Sequence, residues 1–147
     1  MKNIQKLETT VNQHLTTKKW QLAITELGKA VAALSEGDHF HHQIFERQTC
    51  FAYLELKKPI EAVRHCNKAL KLRDNDADAL IYRAEAHILG ENFEAAVNDY
   101  KTAHNLRKDR AVFSYFIIIL FFFFLLSNFL HPAHIRLKRA SRRQKNC

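Results

Sequence analysis

The chain of 147 residues has only three glycines, two prolines, one methionine and one tryptophan. So few residues that break or bend regular structure exclude a turn-rich, all-β design and suit an all-helical body. No glycine-rich phosphate loop, nucleophile elbow or HExxH helix is present, so the residues that carry the common enzyme chemistries are missing and no cofactor is expected. Acidic residues are absent from the last 36 positions, which carry six Lys/Arg. Residues 1–111 hold 17 Lys/Arg against 15 Asp/Glu, a balance of only +2 within the total of +8. The basic character therefore belongs to a tail. With no basic, aromatic-interleaved helix in the body, nucleic-acid binding is not expected.

What is present is a period of 34 residues. The stretch 43–76 superimposes without a gap on 77–110, placing Cys50 on Ala84, Ala62 on Ala96, Val63 on Val97, Ala69 on Ala103 and Leu72 on Leu106. Small residues at these spacings let paired helices approach closely, and larger apolar groups such as Tyr53, Leu70, Leu80, Tyr100 and Leu106 fill the seams. A third copy lies upstream, where Trp20, Ala23, Ile24, Leu27 and Ala30 repeat Pro59, Ala62, Val63, Cys66 and Ala69. Its first helix is expected over about 4–15, with Asn3 as a possible cap. Its joint is five residues longer, and the excess falls in 35–42, read as a helix stop and a linker. His39, His41 and His42 lie there and are expected to be solvated. Such a period resembles the tetratricopeptide repeat, in which each helical hairpin buries its apolar face only by stacking on its neighbours. The expected fold is an all-α solenoid over 1–111, with repeats at about 4–37, 43–76 and 77–110.

Val112 to Leu130 forms a nineteen-residue run without charge, glycine or proline. As a helix it would span roughly 28 Å, close to the ~30 Å hydrocarbon core of a bilayer. It is expected to be one apolar transmembrane helix, followed by a basic tail at 131–147. Met1 to Thr10 lacks the apolar core of a signal peptide. A tail anchor would leave the body in the cytosol, whereas the positive charge after the span favours a lumenal body. A third reading stays open, that the composition change near Ala111 marks a tail that is not native.

The segments Glu46–Phe51, Lys58–Cys66, Ala79–Leu80, Arg83–Ala86 and Asp99–Ala103 resemble the last repeats of a narrower family, the endoplasmic-reticulum J-domain co-chaperones, also described as inhibitors of the initiation-factor kinases. The resemblance implies a protein-binding scaffold in protein folding and the unfolded-protein response, lumenal or membrane-attached. Its partners would be an unfolded client, a chaperone or a kinase. His131-Pro132-Ala133 lacks the aspartate of the J domain's triplet, so no J-domain activity is expected of it. The alternatives are a cytosolic tail-anchored adaptor, tied to a membrane through 112–130, and an incomplete gene product.

Cys50 and Cys66 fall on facing positions of one hairpin, within reach of a disulfide, and the resemblance implies an oxidised pair. Two buried thiols are the alternative in a reducing compartment. The groove of such a solenoid is lined by the first helix of each hairpin. Ile44, Arg47, Phe51, Leu54, Ile81, Glu85 and Ile88 are the outward positions expected to meet a peptide. The carboxylate clamp of many relatives needs basic and amide side chains, but its positions here hold Glu8, Asn12, Gln48, Asp78 and Tyr82, and only Asn12 fits.

Overall fold

A computed structural model describes residues 2–107 together with 117–119, 121, 122 and 125. Over residues 2–107 six helices follow in order: α1 (Lys2–Thr16), α2 (Trp20–Ala32), α3 (His39–Glu55), α4 (Pro59–Leu72), α5 (Ala77–Leu89) and α6 (Phe93–Arg107). They pair as hairpins α1–α2, α3–α4 and α5–α6. The hairpins stack through α2 on α3 and α4 on α5, and α3 also meets α5, so the odd-numbered helices share one side.

The same turn closes every hairpin. Lys18, Lys57 and Glu91 adopt left-handed backbone with φ of 55°, 58° and 59°. The amide after each returns to the carbonyl five residues back: Lys19 to His14 at 2.8 Å, Lys58 to Tyr53 at 3.0 Å and Asn92 to His87 at 2.8 Å. This Schellman arrangement satisfies the last carbonyls of the first helix within a three-residue turn. Pro59 then starts α4 at a position where its missing N–H costs nothing.

Close helix approach follows from the small residues. Ala23, Ala30, Cys50, Ala62, Cys66, Ala69, Ala84, Ala96 and Ala103 are all fully buried. Around them three clusters follow the hairpins. Val11, Leu27, Ala30 and Phe45 form the first, Cys50, Leu54, Ala62, Cys66 and Ala86 the second, and Leu80, Ala84, Ala96, Tyr100 and Ala103 the third.

Three expectations need correction. Helix α1 begins at Lys2, so Asn3 lies inside the helix rather than ahead of it. The linker is shorter than 35–42, because α3 starts at His39. Asp38 is the reason: its carboxylate accepts the His41 amide at 3.2 Å and the His41 ring at 2.8 Å, which fixes the first turn there. Those hydrogen bonds hold the Asp38 carboxyl below its ordinary pKa. Leu106, assigned to a seam, is 45% exposed because α6 ends the described stack. Among the described residues no helix is long and apolar enough to cross a membrane. The apolar span at 112–130 lies largely, and the basic tail at 131–147 wholly, outside the described residues.

Candidate peptide groove and its polar supports

The side shared by α1, α3 and α5 is the groove. Phe51 of α3 occupies its middle. Its ring meets Trp20, at the start of α2, edge-on at 5.6 Å, and Tyr82 of α5 at 5.1 Å with a tilt of 41°. Three hairpins thus contribute one ring each to a continuous aromatic row, and all three rings are half-buried. Burial and the nearby Asp78 carboxylate raise the Tyr82 pKa, so its hydroxyl stays protonated.

Ile44 and Ile81 are half-buried and pack on the first and third core clusters, leaving part of each side chain toward the groove. Leu54 does not face outward as expected. It is only 4% exposed and belongs to the core cluster of Cys50, Ala62 and Cys66, because the close approach of α3 to α5 closes over it. Its edge reaches a cleft also lined by Glu55, Glu85, Ile88, Leu89 and Tyr100. Glu85 is half-buried there; burial and the neighbouring Glu55 charge raise its pKa.

Arg47 has a structural engagement that its outward position did not suggest. Its guanidinium lies 3.2 Å from Asp76 and 3.4 Å from Asp78. Gln43 also donates to Asp76. Asp76 in turn accepts the amides of Asp78 and Ala79 at 3.1 and 3.2 Å, capping α5. One carboxylate therefore starts α5 and ties it to α3. Asp78 closes the group by meeting Arg107 at 2.5 Å. Asp76 is only 4% exposed, so it is a buried support as well as a cap. Of the remaining clamp positions, Asn12 accepts from Gln48 at 3.4 Å and Glu8 lies 3.9 Å from His41.

Away from the groove, two buried ion pairs brace the hairpins. Arg83 of α5 holds Asp99 of α6 with two hydrogen bonds of 2.7 and 2.6 Å, and also donates to Asn67 of α4. Burial lowers the pKa of the adjacent His87, against the pull of Asp99. Glu46 of α3 accepts from His65 of α4 at 2.6 Å, with Lys68 at 3.5 Å and Tyr53 stacked on the His65 ring. Burial works to raise the Glu46 pKa, yet the hydrogen bond and charge of His65 outweigh it, and the carboxyl ends below its ordinary value. Cys50 and Cys66 are joined in the structure, with Cα atoms 5.2 Å apart between α3 and α4.

No family model matches the chain. It is 33% identical over 106 residues to the DnaJ homolog subfamily C member 3 homolog of Dictyostelium discoideum, an alignment covering 70% of this chain and 21% of that protein. Its backbone superimposes on the P58(IPK) TPR domain with a TM-score of 0.69, at 21% identity over 81% of this chain and 34% of that one. It also superimposes on the first TPR of Spaghetti (RPAP3), bound to the HSP90 peptide SRMEEVD. That TM-score is 0.71, at 22% identity over 79% of this chain and 89% of that one. The chain is a tetratricopeptide-repeat solenoid similar to DnaJ subfamily C member 3. It spans about a fifth of the length of the curated relatives it matches.

Proposed function

We propose that the tetratricopeptide groove binds an extended or unfolded polypeptide, as a co-chaperone-type scaffold with no chemistry of its own. The aromatic row of Trp20, Phe51 and Tyr82 carries this reading. It offers flat apolar surface across three hairpins, with Ile44 and Ile81 beside it, which suits apolar side chains of a peptide. An acidic carboxy-terminal peptide of the kind bound to Spaghetti is a poorer match. Asp78 and Glu8 stand on the groove side where basic groups would be needed, and Arg47 is already committed to Asp76. Similarity to DnaJ subfamily C member 3 supports a place in protein folding and the unfolded-protein response. The Cys50–Cys66 bond is in keeping with an oxidising compartment such as the endoplasmic-reticulum lumen.

The test uses reduced, carboxymethylated α-lactalbumin as a permanently unfolded probe. The Phe51→Ala, Ile81→Ala double variant should weaken binding about tenfold or more while helical circular dichroism stays unchanged, and Leu22→Ala, at an exposed position on α2, serves as the control. Equal binding by the double variant and the control would rule the groove out.

A further inference from the structure

The repeat lets one joint of the solenoid be read against the other. Between the second and third hairpins, on the side away from the groove, Arg83 of α5 reaches both even-numbered helices. It holds Asp99 of α6 at 2.6 and 2.7 Å and Asn67 of α4 at 2.7 Å. Between the first and second hairpins the equivalent positions hold Thr49, His65 and Gly28. Thr49 is too short to cross, and its hydroxyl donates back to the Phe45 carbonyl at 2.8 Å. Gly28 offers no side chain, and a Cβ placed there would meet nothing within 4 Å. The place that Arg83 fills at one joint is therefore open at the other, as a cleft of about 220 Å³.

Its lining is apolar with one buried acceptor. Ile24, Leu27 and Val31 of α2 line it, as does Tyr53 of α3, which is stacked on His65 with ring centroids 5.3 Å apart. Glu46 also lines the cleft, and its side chain is 5% exposed. One carboxylate oxygen pairs with His65 Nδ1 at 2.6 Å. The other has Lys68 Nζ and His42 Nε2, both at 3.5 Å. That distance is the long limit of a hydrogen bond, so this oxygen has room for a shorter donor. Lys68 and two histidine rings already surround the carboxylate, so a neutral N–H suits it better than a further cation. A dry cavity of ~150 Å³ takes benzene, and small-molecule sites begin near ~300 Å³. The cleft lies between these sizes and suits a two-ring group.

We propose that this cleft is a docking site for a tryptophan side chain of a partner polypeptide, its indole between α2 and Tyr53 and its N–H donated to Glu46. The partner is not a second copy of this chain, whose one tryptophan is Trp20, already part of the groove's aromatic row. The site stands apart from the groove and does not rest on the groove's peptide-binding role.

The test titrates N-acetyl-tryptophanamide into the full, isotope-labelled chain and follows the amide resonances of Gly28, Thr49 and Tyr53. Saturable shifts are expected below about 10 mM, a range suited to one isolated side chain. The 1-methylindole analogue, which lacks the N–H, should bind about fivefold more weakly, the size of one hydrogen bond. Gly28→Leu grows a side chain into the cleft and should weaken binding about tenfold or more. It should fold at least as well as the unmodified chain, because leucine favours a helix over glycine and the site is open. Lys29→Leu, on an exposed part of α2, should bind as the unmodified chain does. Absence of shifts at these amides, or equal binding by Gly28→Leu, would overturn the site. Equal affinity for the two analogues would overturn the bond to Glu46 and with it the choice of tryptophan.

Discussion

The two joints of the solenoid are built differently. Between the first and second hairpins the contact is mainly apolar, with Phe45 of α3 inserted beside Val11 and Leu27. The polar contribution is thin: Gln48 meets Asn12 at 3.4 Å, His41 lies 3.9 Å from Glu8, and among the described residues His14 Nδ1 and Gln48 Oε1 are buried without a hydrogen-bond partner. Between the second and third hairpins the joint is cross-tied. Gln43 and Arg47 reach Asp76, and Arg83 reaches Asn67. The second and third hairpins also carry an internal brace each, Glu46–His65 and Arg83–Asp99, and the second holds the disulfide. In a repeat stack, stability is a sum of hairpin and nearest-neighbour terms, so unequal joints mean unequal local stability. Apolar contact alone is non-directional, whereas a buried carboxylate with several fixed donors specifies one register. The aromatic row spans both joints, so its first ring rests on the weaker one.

The largest expected effect comes from breaking the stronger half. Arg83→Ala leaves the Asp99 carboxylate, 7% exposed, without its bidentate partner. A loss of about 3 kcal/mol in chemical denaturation is expected, since an uncompensated buried charge costs that much. Asn67→Ala should cost far less; an equally mild Arg83→Ala would show the pair to be dispensable.

Opening the disulfide should be of similar size. Its sixteen-residue separation closes a loop for which reduction costs about 3 kcal/mol. In the oxidised protein, amide exchange should be fastest in α1 and α2. After reduction α3 and α4 should approach them, narrowing the contrast between the joints. If α1 and α2 are as protected as α5 in the oxidised state, the joints are equal and the comparison fails.

A smaller effect follows from Glu46. Its carboxyl is held below the ordinary carboxylate pKa, so the fold binds that proton less tightly than the unfolded chain. The stability it supplies is complete above the unfolded value near 4.3 and is lost as pH falls through the folded value. Glu46→Gln should therefore cost about 2 kcal/mol at pH 7, as expected for a hydrogen bond to a charged group, and the gap from the unmodified protein should close in denaturation below about pH 4. A gap that persists at low pH would mean that packing, not charge, is at stake.

The smallest change should strengthen the weaker half. Lys18 is held in left-handed backbone on an exposed turn, a conformation glycine adopts freely. Lys18→Gly should raise the melting temperature of α1–α2 slightly, by an amount equivalent to about 0.5–1 kcal/mol. A decrease would show that chain entropy outweighs the relieved strain.

Much of the fold was legible because a hairpin stack writes its geometry into spacing. Ala62, Ala69, Ala96 and Ala103 had to be small wherever two helices nearly touch, and all four are fully buried. The start of α3 was less legible, since three consecutive loop-like residues and a histidine cluster concealed that Asp38 caps a helix. Candidate groove residues were read from their position on the first helix of each hairpin. Leu54 shows the limit: its place on the helix points to the groove, but how far α5 folds over it depends on the packing of another hairpin.

Sequence by itself determined the helical hairpins, their period, the small-residue seams and the uncharged run after the last repeat, because each depends on residues close in the chain. Only the tertiary structure decided which polar groups became supports. Gln43, Arg47 and Asp76 lie 33 and 29 positions apart, and nothing in their local surroundings marks them as partners. The structure likewise set the Trp20, Phe51 and Tyr82 rings in one row. Contacts between hairpins are fixed by the angle and register of stacking, which arise from the summed packing of all the seams and are not readable from any one stretch of chain.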